Sequence, residues 1–271
     1  MSTQAEKSRV FKALHDSNET FIIPNPWDAG SARVLQGLGF KALATTSAGF
    51  AQSLGKLDGQ VSVDEKIEHC RALCAVTDIP VSADFENGFT DSPAEAAANI
   101  LRVAEAGVVG ASIEDYSGTG IYDFSLAVDR IAACAKAVAQ LSFPFILTAR
   151  AENLLRGVDD LDDTIKRLQA FETAGADVLY APGLRNLDQV RQIVDSVTKP
   201  VNVLSSFMPD VTLDQYAKAG VGRVSIGGAL ANHAIGSTMT AARQMLDSGD
   251  FGWVKNAAPG GEIRKLLDPS T

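Results

Sequence analysis

The sequence predicts a (β/α)8 barrel on three observations. Eight short apolar runs alternate with longer segments of helical periodicity. Four junctions repeat one pattern, a helix ending at glycine and a short turn feeding a strand. The carboxylates gather where the apolar runs end. Alternation with short connections requires parallel strands, and eight units fill a chain of 271 residues.

The predicted strands are Phe21–Ile23, Ala42–Ala44, Ile79–Ala83, Gly110–Ile113, Phe145–Thr148, Val178–Tyr180, Val201–Leu204 and Arg223–Ile226. Between them Ala94–Glu105, Leu126–Gln140 and Leu161–Thr173 carry the clearest helical periodicity. The repeated junctions start at Gly37, Glu105, Thr173 and Lys218. An open doubly wound sheet is the alternative, but no Gly-x-Gly-x-x-Gly follows the first strand. Residues 1–247 form the barrel on this reading. Residues 248–271 form a helical extension whose Trp253, Val254, Leu266 and Leu267 must pack on the barrel or on a neighbouring subunit.

Composition is 46% hydrophobic and 21% charged, ordinary for a globular chain with a sizeable core. A net charge of −9 without a basic run argues against nucleic acid and anionic membranes as partners. The first nine residues lack an apolar signal core, and three cysteines show no disulfide or zinc pattern. The expected location is the cytoplasm. Cys70, Cys74 and Cys134 fall on predicted helices, which makes them packing residues.

Chemistry in such a barrel sits at the C-terminal strand ends. Those ends offer Asn25, Trp27 and Asp28; Thr45, Thr46, Ser47, Ala48 and Gly49 followed by Asp58; Asp84 and Glu86; Glu114 and Asp115. They continue with Arg150, Glu152 and Asn153; Tyr180 and Pro182; Asn202 and Ser205; Gly227 and Gly228. Asp84 and Glu86 are two apart and share a face on a strand. With Glu114, and Asp58 through water, they offer hard oxygen donors for Mg2+, or Mn2+. The turn at Ser47, Ala48 and Gly49 can cradle a carboxylate or a developing oxyanion. Arg150 can bind a carboxylate or phosphonate in bidentate fashion. The set fits a small anionic 2-oxo acid reacting through an enolate. Blander roles compete: Asp28 or Asp115 as helix caps, and Arg150 with Glu152 as a structural ion pair. His69 is a helical histidine of no expected role, whereas His233 could face the mouth.

The order Ser47-Ala-Gly, Asp58, Asp84-Phe-Glu86-Asn-Gly, Glu114-Asp115 and Arg150-Ala-Glu152 resembles the isocitrate lyase/phosphoenolpyruvate mutase superfamily, from about Phe21 to Leu246. The resemblance implies a barrel whose last helix is swapped between subunits, in a dimer or dimer of dimers. It implies Mg2+-dependent making or breaking of C–C or C–P bonds beside a 2-oxo acid. It places Asp58, Asp84, Glu86 and Glu114 at the metal. Ser47, Ala48, Gly49, Arg150, Glu152, Asn202 and His233 become candidate substrate contacts, and Ser47, Arg150, Asp58 and Thr119 the candidate catalytic residues. This chain departs from the family at the second metal acid, Glu86 in place of Asp. The loop from Asp115 to Phe124 holds no Cys, Lys or His, so it lacks the catalytic Cys motif of the C–C lyases and the Lys of the phosphonate branch. Ala181-Pro182-Gly183 replaces the strand-six Glu of isocitrate-type lyases. The expected function is therefore a Mg2+-dependent lyase or decarboxylase. A phosphonomutase or phosphonate hydrolase, or a non-catalytic 2-oxo acid binder, is the alternative.

Overall fold

The computed structural model describes residues 2–17 and 19–268. The elements run α1 Gln4–Asp16, β1 Phe21–Ile23, α2 Ala29–Gly37, β2 Leu43–Ala44, α3 Ser47–Ser53, α4 Val63–Val76, β3 Val81–Asp84, α5 Pro93–Glu105, β4 Gly110–Glu114, α6 Phe124–Val138 and β5 Ile146–Arg150. They continue with α7 Leu161–Thr173, β6 Val178–Tyr180, α8 Leu187–Val194, β7 Val201–Leu204, α9 Leu213–Lys218, β8 Arg223–Ser225, α10 Ala229–Ser248 and α11 Gly260–Leu267. All eight predicted strands form, shifted by one or two residues at some ends.

The strands pair in parallel in the order β1-β8-β7-β6-β5-β4-β3-β2. The Ala44 N–H donates to the Pro24 carbonyl at 3.1 Å and nearly closes the barrel between β1 and β2. The repeated glycines end their helices in the left-handed region, with φ of 97° at Gly39, 105° at Gly107, 107° at Gly175 and 79° at Gly220. Each helix start has a chemical reason. Asp28 caps α2 through the Ser31 N–H, Ser62 and Glu65 form a capping box on α4, and Ser92 caps α5 ahead of Pro93. The expected cap role of Asp28 is thus what the backbone uses.

The strands' outer faces pack on the helices in one large apolar cluster. The N-terminal barrel end is plugged by α1, whose Phe11 is fully buried among Ile23, Ala42, Val109, Ile146 and Val178. A β-carbon at Gly110 would stand 2.9 Å from Phe11 Cε1 and 2.8 Å from the Ile146 carbonyl, so that plug requires glycine. At the far end of the chain, α11 packs on α2, where Leu266 lies against Gly37 and Arg33 Nη1 donates to the Leu267 carbonyl at 2.9 Å. Residues 269–271 of the extension lie outside the described residues. By contrast α10 buries only Ala231 and leaves Ile235, Met239, Met245 and Leu246 exposed.

Candidate active site

At the C-terminal strand ends lies a cleft of about 580 Å³, lined by Ser47, Asp58, Glu86, Glu114, Arg150 and Arg156 and by the loop at Tyr116, Ser117 and Gly118. Four of the six were singled out as candidate metal ligands, oxyanion or substrate groups at separate strand ends, and Asp58 in the second loop. Folding brings them to one wall-to-wall site.

Arg150 is the electrostatic hub. Its Nη1 donates to Asp84 Oδ1 at 2.8 Å, and its Nε and Nη2 donate to Glu152 Oε1 at 2.9 and 2.7 Å. Glu114 Oε2 lies 3.2 Å from Nη2. The guanidinium sits 5.1 Å from the Tyr180 ring centroid. Glu152 is fully buried and lines no cleft surface. The pair is the structural ion pair that was one of its two expected readings, and it fixes a guanidinium that lines the cleft. Arg156, absent from the sequence-based list, donates from Nε to Glu152 at 3.1 Å and lies 3.8 Å over the Tyr116 ring.

Asp84 stands apart from the cleft acids. Its Oδ2 accepts the Ser47 N–H at 2.9 Å, while Oδ1 accepts from Arg150. Burial alone would raise its carboxyl, but Arg150, Lys66 and the Ser47 contact outweigh burial and hold it below the usual range. Lys66 is fully buried on α4, and its Nζ finds no hydrogen-bond partner among the described residues. The Ser47 N–H is thereby committed to Asp84. Gly49 N–H donates to Thr46 Oγ1 at 3.3 Å, so of the three turn amides Ala48 N–H is the one left for a ligand.

Glu86 occupies the left-handed region with φ 49°, and Phe89 follows at 61°. Residues with a β-carbon adopt this conformation only when their surroundings enforce it. The enforcement comes from Arg130 on α6, 1% exposed, which donates to the carbonyls of Asn87 and Thr90. Asn99 Nδ2 donates to the Gly88 carbonyl at 2.9 Å, and Glu114 N–H to the Glu86 carbonyl at 2.9 Å. The turn points Glu86 into the cleft, where burial and the neighbouring Asp84 charge push its carboxyl up to about 7. Burial raises Glu114 as well, with Glu152 and Asp84 adding repulsion that Arg150 only partly offsets.

As folded, no three carboxylate, imidazole or thiol groups among the described residues converge closely enough to hold an ion. Asp84 and Glu114 instead pair with Arg150, at 2.8 and 3.2 Å. The donor chemistry nonetheless suits a hard divalent cation. Asp58, Glu86 and Glu114 present oxygen ligands to one cleft, and the last two are raised by burial and by neighbouring carboxylates, which a cation would offset.

The remaining candidates fall elsewhere. Asp115 caps no helix. Its Oδ1 accepts the Glu152 N–H at 2.7 Å and its Oδ2 faces Arg167 Nη1 at 3.1 Å, tying the loop after β4 to the loop after β5. Thr119 is exposed and bonds Ser117 Oγ at 3.0 Å within a tight hairpin, away from the cleft lining. Asn202 is buried inside the barrel, and His233 is exposed on α10 and lines neither the cleft nor the barrel interior. His69 packs as expected, stacked on Phe50 at 3.7 Å. Burial pushes the thiols of Cys70, Cys74 and Cys134 up to about 11, 12 and 12, so all three are poor nucleophiles. Arg130, Arg156 and Lys66 escaped the sequence reading. They lie within helices or beyond the strand end, where a basic residue looks like ordinary surface.

The fold and this mouth define a (β/α)8-barrel protein whose polar groups converge at the strand C-termini. The chain belongs to the phosphoenolpyruvate phosphomutase family, whose family model matches residues 11–246, within the isocitrate lyase/phosphoenolpyruvate mutase superfamily. A solved structure from Burkholderia cenocepacia J2315, described broadly as a lyase/mutase, matches with a TM-score of 0.95 at 49% identity, over 98% of this chain and 97% of its own. The 2-methylisocitrate lyase of Escherichia coli K12 is 29% identical over 204 residues, 71% of this chain and 68% of its own. The oxaloacetate decarboxylase of Pseudomonas putida GB-1 is 26% identical over 230 residues, 81% and 77% of the two chains. A phosphonopyruvate hydrolase solved with oxalate and Mg2+ shares the fold, with a TM-score of 0.86 at 23% identity over 98% of this chain and 95% of its own. No helix among the described residues is long and apolar enough to cross a membrane.

Proposed function

We propose that the protein is a Mg2+-dependent lyase, of the decarboxylase type, acting on a small 2-oxo carboxylic acid in the cleft. The observation that carries the reading is the cleft itself. It sets an arginine held by three carboxylates beside Glu86, whose carboxyl burial and the Asp84 charge push up to about 7. Asp58, Glu86 and Glu114 would hold the cation, with Asp84 behind them. When bound, Mg2+ supplies Lewis-acid withdrawal of charge from a keto group. Arg150, fixed by Glu152, binds and orients the substrate carboxylate. Ala48 N–H, at the start of α3, donates to oxygen that gains charge. The loop at Tyr116–Ile121 lines the cleft through Tyr116, Ser117 and Gly118 and is closed on itself by Ser117 N–H to the Gly120 carbonyl at 2.9 Å. It can exclude water, but it offers no strong proton donor.

That last feature favours decarboxylation over aldol-type cleavage. Losing CO2 needs an electron sink more than an acid on a leaving group. The relatives include an oxaloacetate decarboxylase, which supports the same choice. Reaction at a C–P bond is the second reading, motivated by the phosphomutase family name. The reduced, high-pKa thiols suit the cytoplasm.

The test is turnover by metal-stripped protein with and without added Mg2+, followed by carbon and phosphorus NMR. The panel is C3–C6 2-oxo acids, their hydroxy adducts and phosphonopyruvate. The proposal expects Mg2+-dependent loss of a carboxylate from a 2-oxo diacid above the rate of Mg2+ alone. Rearrangement or phosphate release from phosphonopyruvate would select the second reading. No turnover of any compound would leave a binder.

A further inference from the structure

The barrel interior holds a second cavity of about 50 Å³. A buried water needs about 10–15 Å³ on this scale, so the space takes a few waters or one monatomic ion. Among the described residues Arg150 alone lines both this cavity and the cleft; Asn25, Tyr180, Asn202, Arg223 and Ser225 lie on the interior side.

Arg223 is 5% exposed at the start of β8. Its Nε donates to Asn202 Oδ1 at 2.8 Å, its Nη2 to Thr148 Oγ1 at 3.1 Å and its Nη1 to His15 Nε2 at 3.1 Å. All three partners are neutral. The Asn202 amide is oriented by its own donation to Ser225 Oγ at 2.9 Å. His15 Nδ1 lies 2.8 Å from the Phe11 carbonyl, so that nitrogen carries the hydrogen and Nε2 accepts. Burial, followed by the Arg223 charge, pushes His15 down to about 3, which keeps the imidazole uncharged near neutrality.

Arg150 is surrounded by Asp84, Glu114 and Glu152, but no ion pair reaches Arg223 among the described residues. The Asp84 carboxylate that lines the same cavity is committed to Arg150 and to the Ser47 N–H. A buried charge without a counter-charge is destabilising. Three of the five guanidinium N–H groups are used, which leaves two donors for a ligand.

The geometry points to a binding site for a small monovalent anion, of chloride size, inside the barrel on Arg223. The anion completes the guanidinium's hydrogen bonds and neutralises its charge. The cavity shares Arg150 and Asp84 with the metal and substrate reading above, but Asp58, Glu86 and Glu114 do not line it, and Arg223 has no part in that reading.

The experiment is thermal unfolding of the full chain in sodium chloride, sodium bromide and sodium gluconate at matched ionic strength. Gluconate is too large for the cavity. Tm is expected to be higher in both halides, by on the order of 5 °C. The difference disappears in Arg223→Met. A crystal grown in bromide shows an anomalous peak beside Arg223. Equal Tm in all three salts, a halide effect retained in Arg223→Met, or an interior without bromide overturns the proposal. If Arg223→Met does not fold, the wild-type salt comparison and the bromide peak decide.

Discussion

Arg150 donates to Asp84 across the barrel mouth at 2.8 Å, while Glu152 grips the same guanidinium through two of its nitrogens. The contact turns Asp84 toward the barrel interior, whose cavity it lines, and holds the guanidinium on both sides. Arg150→Met leaves three carboxylates without their shared cation. It should cost about 3–5 kcal/mol of stability, as removal of one partner from a buried ionic cluster does. Arg150→Lys keeps the charge but loses the fork, and should retain more stability than substrate affinity. Urea unfolding together with oxalate titration in Mg2+ checks both.

The turn after β3 is strained. Glu86 and Phe89 both sit at positive φ, clamped by Arg130. Such strain costs on the order of 1–3 kcal/mol per residue. Glu86→Asn suits the left-handed region and removes a crowded carboxylate. It should raise Tm while abolishing Mg2+ binding measured by calorimetry. A variant that loses stability and keeps Mg2+ affinity would show that the turn serves packing alone.

The barrel was legible because its signals are local: apolar runs, glycine stops and caps. The acids at the ends of β3 and β4, and Arg150 on β5, were legible because a strand end fixes where a residue lies. Which way each carboxylate turns was not, since Arg150 decides it through contacts between residues 66 positions apart. Arg130 was hidden for the same reason, as its partners Asn87 and Thr90 are 43 and 40 positions away. Asp115 was legible as important, yet its work is to bind Glu152 N–H and Arg167.

His69 should mark the acid side of stability. Its Nε2–H donates to the Trp27 carbonyl at 3.0 Å, and its Nδ1 is buried without a partner. Burial, then the Lys66 charge, lower it from 6.5 to about 3. Between those values the unfolded chain binds a proton that the folded chain refuses, so this group's contribution is lost as pH falls. The slope is about 1.4 kcal/mol per pH unit, or roughly 2 kcal/mol between pH 6.5 and 5. Glu86 and Glu114, raised in the fold, act with the opposite sign as pH falls from 8. The difference between wild type and His69→Gln isolates the histidine. Stability curves that run parallel from pH 7 to 5 would contradict it.

Ile235 and Met239, one turn apart on α10, are 41% and 45% exposed, and Leu246 is 84% exposed. The expected exchange of this helix between subunits would cover such an apolar flank. Light scattering should give a dimer or dimer of dimers. Ile235→Glu with Met239→Glu should yield smaller species. A wild-type monomer at micromolar concentration would rule the exchange out.

The most direct test of the proposed site is calorimetric titration of oxalate, a stable 2-oxo acid mimic, into metal-free protein with and without Mg2+. Oxalate should bind only with Mg2+ in the wild type, and binding should be lost in both Glu86→Gln and Glu114→Gln. Oxalate binding that is indifferent to Mg2+, or unchanged in either variant, would contradict the proposed site.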